Sequence, residues 1–236
     1  MRYDVVIFDF FGTVAEHDGN GVKLADVLQR HGVVLDPALA RAYWQDGFDG
    51  TTHDGPSRSR EHYVEWQRER LHALLDEAGV HPERAASVAA ELRAPHDQGR
   101  MVAYPDASAV LDAIAARGVR RAICSNWDWD LTEAIDQTGL SEHFDLVVSS
   151  AWIGARKPHP RIYDHMVDAL QIDPARALFV GDTWSCDIAG PRSHGMTPVY
   201  VRRPHREPDH TRPQHADGVH EFDDLTPILG LLDGSN

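Results

Sequence analysis

The stretch YDVVIFDFFGT, residues 3–13, joins an apolar run to a carboxylate, a glycine and a threonine. The run 3–9 ends in Asp9, and Gly12 and Thr13 follow directly after it. An uninterrupted apolar run of this length, closed by a glycine, indicates a buried strand of a parallel sheet followed by a tight turn. We therefore expect Asp9 at the carboxyl end of the first strand.

Short apolar runs recur along the second half of the chain and alternate with helical patterns. The runs are 119–124, 144–150, 177–181, 198–202 and a last short one at 218–222, and the helical patterns are 106–117, 130–138, 159–170 and about 185–194. Strands that alternate with helices at this spacing predict βαβ units. The expected fold class is α/β, with a Rossmann-like, doubly wound parallel sheet covered by helices on both faces.

The stretch 15–98 breaks this alternation, because it contains no strand pattern. It reads instead as helices near 22–31, 36–48, 57–78 and 82–94, with Ser57 or Ser59 as a cap of the third and Pro82 in the first turn of the fourth. We therefore expect a helical cap domain at 15–98, inserted after the first strand. Residues 1–14 and 99–236 would form the α/β core domain.

The composition restricts the class of partner. The chain has a formal net charge of −14, which argues against nucleic acid or an anionic membrane as the main partner. No apolar run approaches the roughly 20 residues needed to span a bilayer, and no signal peptide precedes the first strand. With only two cysteines, Cys124 and Cys186, a disulfide framework is not expected. We expect a cytoplasmic protein, monomeric or homodimeric, that binds a small molecule.

Polar residues stand where the predicted parallel strands end, and active sites of open parallel sheets lie at that edge. They are Asp9 with Gly12 and Thr13, then Ser125 and Asn126, then Lys157 at the start of a helix, and finally Asp182 followed by Asp187. The pattern predicts one site that combines a nucleophilic carboxylate, hydroxyls, an amine and two further carboxylates.

This ordered set resembles the four motifs of the haloacid dehalogenase superfamily. The matching segments are DFFGT at 9–13, SN at 125–126, KP at 157–158 and GDTWSCD at 181–187. The resemblance implies a capped hydrolase in which Asp9 attacks phosphorus or carbon, giving an aspartyl intermediate that water then hydrolyses.

The resemblance also implies a role for each motif residue. Thr13 and Ser125 would donate hydrogen bonds to the transferred group, Lys157 would neutralise its charge, and Gly12 and Asn126 would contact the substrate. Asp9 and Asp182 would hold Mg²⁺ together with the backbone carbonyl of Phe11, and Asp187 would order the waters of the metal.

Phe11 departs from the phosphatases of the superfamily, which carry an acid–base aspartate at this position. The 2-haloacid dehalogenases carry an aromatic residue there, and Tyr163 also resembles their pattern. They usually lack the leading aspartate of the fourth motif, here Asp182, and they hold halide with an arginine near a Trp-Arg pair. The nearest counterpart of that pair is Trp44-Gln45, with Arg41 one helical turn away.

We give Asp182 more weight, because a carboxylate that faces Asp9 requires a cation between them. The predicted function is therefore Mg²⁺-dependent hydrolysis of a small phosphorylated, anionic metabolite. A 2-haloacid dehalogenase-type hydrolase and a catalytically idle binding protein of the same fold stay open as alternatives.

Several aromatic residues near the strand ends or in the loops have weaker signals. Trp127, Trp129 and Trp184 are expected to pack beneath the cap, and His205, His210 and His215 to be solvated loop residues. If another residue replaces the missing acid at position 11, His53 and His62 are the expected sources.

Overall fold

The computed structural model describes residues 2–19, 23–43, 48–92, 99–206, 209, 211–214 and 218–234. Its strands are β1 (Val5–Phe8), β2 (Ala15–His17), β3 (Met101–Ala103), β4 (Arg120–Ser125), β5 (Leu146–Ser149), β6 (Ala177–Gly181), β7 (Thr197–Val201) and β8 (His220–Phe222). Its α-helices are α1 (Leu24–Arg30), α2 (Pro37–Arg41), α3 (Arg60–Glu77), α4 (Pro82–Leu92), α5 (Ala107–Ala116), α6 (Leu131–Thr138), α7 (Ser150–Ile153), α8 (Pro160–Leu170), α9 (Gly190–Ser193) and α10 (Ile228–Leu232).

Six strands form one parallel sheet in the order β5-β4-β1-β6-β7-β8. Strand β1 lies between β4 and β6, and all four of its side chains are buried. The predicted Rossmann-like α/β fold is therefore confirmed. The apolar runs of the sequence correspond to these strands because a central parallel strand is buried on both faces.

The two faces of the sheet are covered by different helices. Val6 and Phe8 pack in one cluster with residues of α5, α6 and α10, whereas Val5 and Ile7 pack in another with residues of α8. Successive side chains of a strand point to opposite faces, so β1 supplies both clusters. This arrangement is the expected doubly wound sheet.

A second, two-stranded sheet lies beside the end of β1, and it corrects the sequence analysis. Strand β2 pairs antiparallel with β3, with Ala15 opposite Ala103 and His17 opposite Met101. The expectation that 15–98 contains no strand is therefore wrong at its first three residues. A strand of three residues is too short to show a period, and it forms because a distant segment pairs with it.

Helices α1–α4 have a hydrophobic cluster of their own. It contains Val27, Leu28, Leu71, Leu74, Leu75, Val80, Val88 and Ala89, none of which belongs to the sheet clusters. Helix α3 begins after Ser59, whose hydroxyl accepts a hydrogen bond from His62 N at 3.4 Å. Four helices were expected here, although the predicted second helix extends into 44–47, outside the described residues. The domain boundaries at 15 and 98 stay a prediction.

The fourth motif does not begin a regular α-helix. A π-helix, Trp184–Ala189, precedes α9, where the sequence pattern predicted one helix over about 185–194. Cys124 and Cys186 are buried free thiols. Within the described ranges, none of the helices is long and apolar enough to cross a membrane.

Candidate active site

The predicted site residues meet at the carboxyl edge of the sheet. Asp9 follows β1, Ser125 ends β4, and Asp182 follows β6. A cavity of 710 Å³ opens at this edge, and all three residues line it. That volume lies in the usual range for small-molecule sites, roughly 300–1,000 Å³.

Lys157 lies at the centre of the site, between two carboxylates. Its Nζ is 2.8 Å from Asp9 Oδ1 and 2.7 Å from Asp187 Oδ1, and the side chain is only 1% exposed. Burial by itself lowers the pKa of Lys157, but Asp187 and Asp9 outweigh it and raise that pKa well above its usual value. Lys157 is therefore a charged ammonium held against the proposed nucleophile.

Ser125 and Lys157 bind the same oxygen of Asp9. The Ser125 hydroxyl donates to Asp9 Oδ1 at 2.9 Å, beside the contact from Lys157. Among the described residues no hydrogen bond reaches Asp9 Oδ2. One oxygen of the carboxylate is thus held in place, and the other remains open to the cavity.

Asp9, Asp182 and Asp187 form a cluster that suits a divalent cation, with one carboxylate oxygen from each within 4.8 Å of the others. Burial and then the neighbouring Asp9 raise the pKa of Asp182 to about 8. Burial, partly offset by Lys157, raises the pKa of Asp187 to about 7. Burial thus disfavours the ionised form of both carboxyl groups, and a bound cation would favour it. Oxygen ligands of this kind are those that Mg²⁺ prefers.

The carbonyl oxygen of Phe11, the other expected ligand, receives no backbone hydrogen bond from any described residue. Asp187, by contrast, has both oxygens engaged. Its Oδ1 accepts from Lys157, and its Oδ2 accepts from Thr183 N at 2.9 Å. Asp187 therefore positions Lys157, while Asp9, Asp182 and the Phe11 carbonyl fit the donor set of a metal site.

Gly12 is required where the turn after β1 approaches Asp182. Its φ is +87°, and a Cβ at this position would lie 2.0 Å from Asp182 Oδ2. Any side chain there would displace that carboxylate. Gly12 therefore provides the space in which the turn and Asp182 meet, and contact with a substrate stays a prediction.

Asn126 holds the backbone of Lys157 from both sides. Its Nδ2 donates to the Lys157 carbonyl at 2.9 Å, and its Oδ1 accepts from Lys157 N at 2.6 Å. The same Nδ2 is 2.9 Å from Asp49 Oδ1. From the sequence, Asn126 is expected to contact the substrate. It does line the cavity, but its amide is already used to position Lys157.

Thr13 lies in the turn after β1 and is buried. Its hydroxyl is fully buried and has no hydrogen-bond partner among the described residues. Thr13 is also absent from the described lining of the cavity. Its role as a donor to the transferred group stays a prediction.

Arg206 is a residue of the site that the sequence analysis missed. Its Nη2 is 3.2 Å from Asp182 Oδ2, and its guanidinium lies 4.6 Å from the centroid of the Phe11 ring. Arg206 belongs to the segment 203–216, a Pro- and His-rich stretch that the sequence pattern predicts to be a loop. Nothing local in the sequence indicates that its fourth residue reaches the end of β1.

The weaker aromatic candidates have separate positions. Trp127 lies on the cavity wall, whereas Trp184 packs against Tyr200 with ring centroids 5.6 Å apart. Trp129 packs beside Tyr63 at 6.0 Å. The hydroxyl of Tyr163 donates to the Cys186 carbonyl beneath the site.

The positions of the histidines agree in part with those expected from the sequence. His53 is buried against Trp66, and His62 is exposed beside Ser59, so neither lines the described cavity wall. His17, which the sequence analysis did not single out, lines the cavity with its ring 5.2 Å from that of Phe11. His205 is exposed and pairs with Glu16 at 2.8 Å. His210, His215 and Trp44-Gln45 lie outside the described residues.

A parallel sheet with several carboxylates and a buried lysine at its carboxyl edge is typical of hydrolases that act through an aspartate. Comparison with known proteins agrees with this class. The chain belongs to the haloacid dehalogenase-like hydrolase family, whose family model matches residues 3–195. It is therefore an enzyme of that family.

Individual relatives include both phosphatases and dehalogenases. The chain is 28% identical over 229 residues to the human haloacid dehalogenase-like hydrolase domain-containing protein 3, covering 91% of this chain and 88% of that protein. It is 36% identical over 144 residues to a phosphoserine phosphatase of Thermus thermophilus, covering 60% and 57%. The structure of L-2-haloacid dehalogenase from Xanthobacter autotrophicus superposes with a TM-score of 0.65 at 23% identity, covering 99% and 100%, which supports the shared fold.

Proposed function

We propose that the chain is a Mg²⁺-dependent hydrolase of a small phosphorylated metabolite that acts through an aspartyl intermediate on Asp9. The observation that carries this proposal is the carboxylate cluster. Asp9, Asp182 and Asp187 each place one carboxylate oxygen within 4.8 Å of the others, and among the described residues the cations in contact with them are Lys157 and Arg206. A further cation at this position would relieve the remaining repulsion.

In this proposal the free oxygen of Asp9 attacks phosphorus. Ser125 and Lys157 hold the other oxygen, so the nucleophile is already oriented when the substrate binds. The bond between phosphorus and the leaving oxygen breaks, and water later releases phosphate from Asp9. Lys157 stays charged and stabilises the negative charge that develops beside it.

Asp9, Asp182 and the Phe11 carbonyl would hold Mg²⁺. When bound there, the metal supplies positive charge to the oxygens of the phosphoryl group. Asp187 would not bind the metal directly. It would hold Lys157 and order the waters of the metal. Because Gly12 has no side chain, the turn after β1 can approach the carboxylate of Asp182 closely.

We also propose that α1–α4 form the cap over the site. The cavity wall combines residues of the sheet edge with Leu24, Leu71 and Leu92 from these helices. A wall built from both parts encloses a small substrate and excludes water from the nucleophile.

A 2-haloacid dehalogenase is the second candidate, and one observation favours it. Arg206 already pairs with Asp182 and supplies this carboxylate with a cation other than a metal. Phe11 fits a reaction in which halide leaves without a proton. Against it, the pKa of Asp182 remains raised to about 8, first by burial and then by Asp9, despite Arg206. A divalent cation at the cluster would favour the ionised form of Asp182 more strongly than Arg206 alone does.

The test is a panel of phosphorylated metabolites and 2-haloacids, assayed with Mg²⁺ and with excess chelator. We expect phosphate release that requires Mg²⁺ and is abolished in Asp9→Asn and Asp182→Ala. Asp168→Asn, on the exposed face of α8, is the control and should keep full activity. Full activity in chelator would exclude the metal-dependent mechanism, and halide release under those conditions would establish the dehalogenase.

A further inference from the structure

A buried arginine, Arg203, connects the segment after β7 to the turn that follows β1. Arg203 is 5% exposed and binds both oxygens of Asp106, at 2.9 and 3.0 Å. Its Nη2 also donates to the carbonyl of Thr13 at 2.6 Å, and its guanidinium lies 3.9 Å from the centroid of the Tyr104 ring. A buried guanidinium that binds a carboxylate through Nη1 and a backbone carbonyl through Nη2 fixes the local backbone. The position of Arg206 is therefore set by the fold.

A turn then directs Arg206 to the site, since Arg206 N donates to the Arg203 carbonyl at 3.0 Å. The guanidinium lies over the Phe11 ring and against Asp182. A planar guanidinium stacks well on an aromatic face. Phe11 therefore has a structural role besides lacking a carboxylate, because its ring packs against the Arg206 guanidinium.

The described part of the cavity wall contains three arginine or lysine side chains, and they differ in what they can still bind. Lys157 is 1% exposed and is committed to Asp9 and Asp187. Arg156 is 8% exposed, pairs with Asp49 at 3.3 Å and is covered by Phe48. Arg206 has 30% of its side chain exposed. Of the three, only Arg206 retains substantial surface for a ligand.

We propose that Arg206 binds a second anionic group of the substrate, carried by the leaving group. The substrates would then be phosphate monoesters of alcohols that bear a carboxylate or another phosphate. This inference rests on the proposed function, because it assumes that Asp9 attacks a phosphoryl group. It adds the chemical class of the leaving group and the residue that selects it.

The test compares matched substrates in wild type and Arg206→Gln. One pair is phosphoglycolate and ethyl phosphate, which differ in the carboxylate. A second pair is fructose 1,6-bisphosphate and fructose 6-phosphate, which differ in one phosphate. We expect Arg206→Gln to lower kcat/KM for the doubly anionic member of at least one pair by about 10- to 100-fold more than for its partner, a typical loss for a charge-assisted contact. Whichever pair responds identifies the group.

Three further variants make the result specific. Arg202→Gln removes a cation from the same segment that pairs with Glu221 and Asp223, and it should leave both ratios unchanged. Arg206→Lys keeps the charge without the planar fork, so its loss should be smaller. Phe11→Leu removes the ring beneath the guanidinium and should reduce the same substrates selectively.

Binding gives a second readout that does not depend on turnover. In an Asp9→Asn background, isothermal titration calorimetry should show weaker binding of the responding substrate when Arg206→Gln is added, by about the same factor. If Arg206→Gln slows both members of each pair equally, or has no effect, the inference is overturned while the proposed function stands. If no phosphate ester is hydrolysed, both are overturned.

Discussion

A side chain on Gly181 would occupy the space that the carboxylate of Asp187 fills. A Cβ at position 181 would lie 2.3 Å from Asp187 Cγ. The π-helix after β6 brings Asp187 back to the end of that strand, where Thr183 N donates to Oδ2 at 2.9 Å. The first and last residues of GDTWSCD are thus coupled by direct contact, and Asp187 in turn holds Lys157.

Gly181→Ala should therefore destabilise the protein by about 1–3 kcal/mol, the usual cost of overpacking a buried position. Gly55→Ala is the matched control, because nothing lies within 4 Å of a Cβ there and its φ is −60°. That control should stay within about 0.5 kcal/mol of wild type. Urea unfolding of the three proteins measures the difference, and equal stability of the two variants would contradict this account.

Lys157→Met should leave Asp9 and Asp187 buried without their shared cation. Removal of one partner of a buried ion pair costs about 3–5 kcal/mol. Because burial raises the pKa of Asp187 to about 7, the loss should be largest at pH 8 and smaller at pH 5, where that group is protonated.

The control for this variant is Arg117→Met, which breaks the surface pair with Asp233. An exposed pair contributes only about 0–1 kcal/mol, so the variant should remain close to wild type at both pH values. Chemical unfolding at pH 5 and pH 8 tests both predictions. A loss for Lys157→Met that does not change with pH would refute the role of Asp187.

His53 should make the protein sensitive to mild acid. Burial, reinforced by Arg156, lowers the pKa of His53 to about 4, whereas an unfolded histidine titrates near 6.5. The folded state thus holds the neutral ring, and stability falls as the pH drops from about 6.5 toward 4, because only the unfolded state takes up the proton.

Replacement of His53 by Phe removes this titration while keeping the stack on Trp66. The drop in unfolding free energy between pH 7.5 and pH 5 should shrink by roughly 1–2 kcal/mol relative to wild type. His62→Gln, at an exposed position, should leave the drop unchanged. If both variants follow the wild-type pH profile, burial of His53 is not the cause.

Phe11 should make hydrolysis depend on the leaving group, because no carboxylate protonates the departing oxygen. A proton donor contributes typically 10²–10⁴-fold, so ethyl phosphate should be much slower than phenyl phosphate in the wild type. Phe11→Asp alone should gain little on ethyl phosphate, since Arg206 beside the new carboxylate would keep it ionised.

The double variant Phe11→Asp with Arg206→Gln should gain more than either single variant on ethyl phosphate, and much less on phenyl phosphate. The measurement is kcat/KM for both esters in the four proteins. Fast turnover of ethyl phosphate by the wild type would show that another residue supplies the proton. His17, on the cavity wall beside Phe11, would then be the next position to replace.

Much of the fold could be predicted from the sequence because its central strands are short, continuous apolar runs. Strands β1, β4 and β6 lie where the pattern predicted them, and a motif residue ends each strand or follows it directly. The parallel order then brings these ends together, since parallel strands share one carboxyl edge. Asp9, Ser125 and Asp182 therefore meet as expected from local sequence and topology alone.

What the sequence determined by itself was thus the sheet, its carboxyl edge and the chemical types gathered there. Only the tertiary structure decided which of these groups touch. Asn126 proved to hold Lys157, and β2 formed only because β3 pairs with it. Arg206 enters the site because Arg203 fastens its loop to the turn after β1. Hydrophobic periodicity predicts which residues of one helix or strand are buried. The position of an irregular loop depends instead on contacts between residues far apart in the sequence, which produce no periodic pattern.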